Sequence, residues 1–118
     1  MTDIELTRAL ERSEVPNSGF HHVDHLRVAL VYLNESPTVE HAIDRMASTL
    51  RRFAAAVGKP EKYSQGTTEF WMYQMAAARA VMPDASADAL FAAWPRLLDQ
   101  RLIIACSAVD ATEGRSGG

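Results

Sequence analysis

His21, His22 and His25 place three of the chain's four histidines within five residues. On a helix, the spacings 21/25 and 22/25 let two imidazoles meet one ion or one ligand. Imidazole suits zinc, copper, iron and nickel alike, so these residues do not choose among the transition metals. A further ligand would come from elsewhere, and Glu69, Gln65, Tyr63 and Asp24 are the candidates. Two other readings stand beside the metal site. One is a metal-free polar pocket for a small molecule. In the other, one or two of the rings are hydrogen-bonded core residues and the third is exposed.

A second cluster, Tyr63, Ser64, Gln65, Gly66, Thr67 and Thr68, precedes the aromatic pair Phe70-Trp71. Such a stretch can line the mouth of a pocket, with Thr67 and Thr68 bonding a ligand at a helix N-terminus. The alternative is plain helix capping by a threonine, with Phe70 and Trp71 in the core. For proton transfer, His25 with Glu69 is the better pair, because Asp24 lies across the helix from His25. A Ser64–His25–Glu69 arrangement lacks the Gly-x-Ser-x-Gly turn that strains a nucleophile. Met46, Met72, Met75 and Met82 read as gap-filling core residues. Cys106 reads as a small buried hydrophobe, with no basic neighbour to activate it.

Five helices are expected to position these groups. Thr2 and Glu5 have capping-box spacing and open a short helix over 3–13. The turn 16–19, Pro-Asn-Ser-Gly, leads into the central and most apolar helix, residues 19–34. On it His22, His25, Leu26, Ala29 and Leu33 share one face, and Asp24, Arg27 and Val31 mark the solvent side. Ser36 and Pro37 are expected to start a third helix, which Gly58 and Pro60 stop. Ile43, Met46, Leu50, Phe53, Ala54 and Val57 form its apolar stripe, and His41 is read as solvated. Thr67 or Thr68 is expected to cap a fourth helix reaching Met82, ahead of Pro83. Ser86 caps a fifth over 87–94, which Pro95 interrupts. The apolar run 102–106 fits a helical turn or an extended segment, and 109–118 reads as a disordered tail.

Length and composition narrow the classes. A chain of 118 residues fits one domain with a sizeable core, placed at residues 1–108. The net charge is −3 and no basic stripe is present, which argues against a nucleic-acid partner. One cysteine excludes an internal disulfide and a cysteine-built zinc site. There is no hydrophobic signal core and no apolar run of about 20 residues, so no membrane span is expected and a cytoplasmic location is.

Phe20-His21-His22, His25, Ala29, Tyr32-Leu33, Phe53-Ala54, Gly58-Lys59-Pro60, Tyr63, Thr68 and Phe70-Trp71 together resemble a group of small, uncharacterised all-helical bacterial proteins. Their pattern runs Phe-His-His-x-x-His-x-x-x-Ala, then Tyr-Leu, Phe-Ala-x-x-x-Gly-Lys-Pro and Tyr-His-x-Thr-x-Thr-x-Phe-Trp. The likeness covers about residues 5–100 and implies an all-helical fold. This chain departs at Ser64, where relatives carry His, at Gly66, where they carry the first Thr, and after Asp99, where a Tyr-rich segment is missing. If the second-motif histidine is a ligand or a base in that group, this chain has lost it.

The expectation is therefore a single all-α bundle of about five helices around residues 19–33. His21, His22, His25 and Glu69 are its metal candidates, and Tyr63, Thr67 and Thr68 its ligand contacts. The pocket would bind a transition metal or a small molecule. The alternative is a non-catalytic accessory or interaction domain with structural histidines, in which the broad apolar surface of the fourth helix suits a homodimer.

Overall fold

The computed structural model describes residues 1–104. Cys106 and the expected tail at 109–118 lie outside the described residues. Five α-helices run in order: α1 Asp3–Glu11, α2 His22–Glu35, α3 Val39–Ala56, α4 Gln65–Val81 and α5 Ala87–Ala93. Short 3-10 turns occupy Asn17–Gly19, Pro60–Lys62 and Pro95–Leu98, and residues 102–104 form a helical turn. No strand occurs among the described residues, and the architecture is an all-α bundle. No described helix is long and apolar enough to cross a membrane.

Local chemistry sets the helix ends. Thr2 Oγ1 accepts from Glu5 N at 3.1 Å, and Glu5 Oε1 accepts from Thr2 N at 3.1 Å, closing the capping box of α1. Ser86 Oγ accepts from Ala89 N at 3.1 Å and opens α5. α3 stops where Gly58 takes φ +75°, a left-handed conformation that costs a glycine little. Lys59 N then donates back to Ala54 O at 2.8 Å, and the chain turns into Pro60–Lys62.

Three boundaries differ from the sequence expectation, each for a local reason. α2 starts at His22, not Gly19, because Gly19 closes a turn on Pro16 O and His21 is the N-cap. Its backbone N–H donates to Asp24 Oδ2 at 2.9 Å. Ser36 ends α2 instead of starting α3; Thr38 Oγ1 takes the cap by accepting from His41 N at 3.1 Å. α4 starts one turn earlier than expected, because Ser64 Oγ accepts from Thr67 N at 3.2 Å.

α2 packs against α1, α3, α4 and α5, so it is apolar on every side from Val28 to Leu33. Val31, expected on the solvent side, is buried with Val28 through Leu33. Arg27 does not mark open solvent either. Its guanidinium bonds Asp88 of α5 at 2.6 Å and approaches Asp3 of α1 at 3.5 Å, tying both helices to α2. Leu10, Leu26, Met46, Phe53, Trp71, Met75 and Leu90 complete the core across all five helices. On the outer face of α4, Tyr73 and Val81 remain exposed.

Candidate functional site

The first turns of α2 meet the last turns of α3 and the start of α4 around a cavity of about 650 Å³, open on one side. α2 contributes His22, His25 and Ala29, and the residues just before it contribute Phe20 and His21. α3 contributes Met46, Leu50, Phe53 and Ala54, whose helical spacing turns one stripe inward. The turn after Gly58 supplies Lys59, Lys62 and Tyr63, and α4 supplies Thr67, Thr68, Trp71 and Met72 behind its cap Ser64. Gln100 and Ile103 also border it.

His22 is held at both ends. Its Nε2 lies 2.8 Å from Leu97 O, and a carbonyl only accepts, so Nε2–H is the donor. Its ring meets Trp71 edge-on with centroids 4.4 Å apart. The residue therefore pins the Pro95–Leu98 turn to α2. His25 sits against Phe20, centroids 4.4 Å apart, and Phe20 in turn packs edge-on against Phe53. Its Nδ1 lies 3.1 Å from His21 O, so Nδ1 carries the hydrogen and Nε2 of the neutral ring holds a lone pair.

Burial pushes the His25 pKa below its usual value, helped by the nearby His22; the His21 carbonyl and Asp24 oppose the shift only in part. A histidine depressed in the folded state binds a proton more readily when unfolded. Its contribution to stability is complete above the unfolded value, about pH 6.5, and is lost as pH falls through the folded value. Denaturant unfolding of wild type and His25→Asn between pH 7.5 and 5 is expected to show the steeper acid loss in wild type. Parallel pH profiles would show that His25 does not titrate out of its folded-state environment.

Tyr63 is fixed from outside the cavity. Arg51 lies over its ring at 5.1 Å, and both Arg51 and the Tyr63 hydroxyl donate to Gln65 Oε1. Thr68 is buried and spends its hydroxyl hydrogen on Ser64 O at 2.8 Å, while Thr67 is exposed at the rim. Thus His21, His22, His25, Tyr63, Thr67 and Thr68 all border one space.

Glu69 stands apart from them. It is exposed and borders no part of the cavity, because one residue beyond inward-facing Thr68 a helix has turned about 100° away. The expectation that Glu69 joins the histidines, as ligand or as proton partner of His25, does not match its position. Among the described residues no group of three or more His, Cys, Asp or Glu side chains is arranged to hold a metal ion.

Sequence reasoning passed over Lys59 and Lys62, which read as members of a polar loop. The available signal was their rarity, since they are the only lysines in the chain and stand three residues apart. Gln100 and Ile103 carried no signal, because their place depends on how the chain folds back after α5. No family model, curated protein or solved structure matches this chain.

Proposed function

We propose that this chain binds a small, largely apolar organic molecule in the cavity between α2, α3 and α4. One observation carries the reading: a space of about 650 Å³ walled mainly by apolar side chains, with a smaller number of hydrogen-bonding groups in its lining from the start of α2 and the 59–68 segment. Pockets for small organic ligands share that volume range, about 300–1,000 Å³, and that division of labour. Ser64 and Thr67 supply hydroxyls, and His25 supplies an acceptor at Nε2. An organic ligand suits these residues better than a zinc, copper, iron or nickel ion does. The hydrogen bonds of His22 and His25 to backbone carbonyls aim the two rings at different tasks, and Glu69 faces solvent.

The test is calorimetric titration of the wild-type chain with 1-octanol, beside the variant Thr67→Phe. Thr67 is exposed and lines the cavity at its rim, so the larger side chain takes up part of the ligand's space without disturbing the core. Wild type is expected to bind one molecule, and Thr67→Phe to bind at least about tenfold more weakly, a loss of roughly 1.4 kcal/mol. Saturable binding that Thr67→Phe leaves unchanged, or no binding at all, would overturn the reading.

A further inference from the structure

The cavity is charged on one side only. Among the described residues, the charged ones that border it, apart from its histidines, are Lys59 and Lys62, and no carboxylate does. This is a local choice by the chain, whose net charge is −3. Glu61, between the two lysines, does not border the space. Among the described residues neither lysine has a carboxylate within ion-pair distance, whereas Arg8, Arg12, Arg27, Arg45 and Arg101 are all paired. Arg8, Arg27 and Arg45 tie elements together. Among the described residues Arg51, Arg52, Arg79 and Arg96, like the two lysines, have no carboxylate partner, but of these unpaired cations only Lys59 and Lys62 border the cavity, where α3 hands over to α4.

We propose that the ligand is an amphiphilic monoanion, an organic carboxylate with an apolar aliphatic or aromatic body. This rests on the small-molecule reading above and assigns its chemical class. The body fills the space bounded by Leu50, Phe53, Trp71 and Met72. The carboxylate lies between Lys59 and Lys62. An ammonium is a compact charge on a long flexible stem, suited to following an anionic head group at an open mouth. His25 does not compete for that head group, because its free Nε2 is an acceptor in the neutral ring. A cationic ligand would meet two like charges and no carboxylate.

The experiment compares octanoate, 1-octanol and octylammonium, which share an apolar chain and differ in charge. Wild type at low salt is expected to prefer octanoate to octanol by roughly tenfold, the scale of two partly exposed ion pairs, and to bind octylammonium most weakly. The variant Lys59→Gln/Lys62→Gln is expected to lose that preference while binding octanol as wild type does. Both lysines are exposed, so the double variant keeps its fold. Raising the salt concentration should erode the octanoate preference and leave octanol binding alone. If octanol binds and octanoate binds no tighter, or if the preference survives in the double variant, the anion assignment is overturned while the cavity reading stands. If neither binds, both fall.

Discussion

Leu26→Ala is expected to lower the unfolding free energy by about 2–5 kcal/mol. Leu26 is fully buried in α2, the helix against which α1, α3, α4 and α5 all pack. Removing its side chain forfeits the transfer energy of the lost carbons and leaves a void that four neighbouring helices cannot all close at once. Domains of this size have a total stability of about 5–15 kcal/mol, so the loss is a large share of it. Urea unfolding should show a lower midpoint with an unchanged slope. Ile4→Ala is the matched control, because Ile4 is 55 % exposed on α1 and its truncation should cost no more than about 0.5 kcal/mol. Equal losses for the two would show that α2 is not the element on which the bundle is built.

The importance of that helix was legible because Leu26 through Leu33 contain only one charged residue, Arg27. What the sequence could not display was the use of that charge. Arg27 reads as a solvent marker at helical spacing, yet its partners Asp3 and Asp88 lie 24 residues before it and 61 after it. The start of α2 was hidden for another reason. Histidine is not among the usual cap residues, and here a backbone N–H bond to Asp24 lets His21 stand where Ser, Thr, Asp or Asn is expected. At α4 two threonines competed with Ser64 for the cap. Thr68 instead bonds back to Ser64 O one turn earlier, which settles the helix start and turns its methyl inward.

The candidate site was legible in its histidines and in its 63–68 wall, because both are local clusters of distinctive residue types. Its charge was not. Lys59 and Lys62 matter only because the left-handed turn at Gly58 swings them to the rim of a space built by three helices. Glu69 missed the cavity by a single helical step: Thr68 lies on the Trp71–Met75 stripe and Glu69 is turned about 100° off it.

Tyr32→Phe is the second large effect expected, about 1–3 kcal/mol from the loss of one oxygen. Tyr32 lies two turns along α2 from His25 and is fully buried. Its hydroxyl donates to Glu11 Oε2 at 2.7 Å and accepts from Thr49 Oγ1 at 2.7 Å, joining α1, α2 and α3 at one atom. Burial, chiefly, pushes the tyrosine pKa up to about 12, so the phenol stays protonated and keeps its donor role at ordinary pH. Arg45 covers the ring at 4.5 Å and reaches Glu35 at 3.1 Å, while Arg8 bridges Glu11 and Glu35. Tyr32→Phe strands the Thr49 hydroxyl in the interior and takes one donor from Glu11, which retains Arg8. Thr49→Val instead removes the partner and keeps its shape. The double variant is therefore expected to be destabilised by less than the sum of the two single changes, with a coupling of about 0.5–3 kcal/mol, because no polar group of the pair is left buried and unbonded. Strict additivity in urea unfolding would show that the oxygen of Tyr32 does not couple the helices. A full coupling would identify a bond that joins α2 to α3, at a point about 10 Å along α2 from His25 of the cavity.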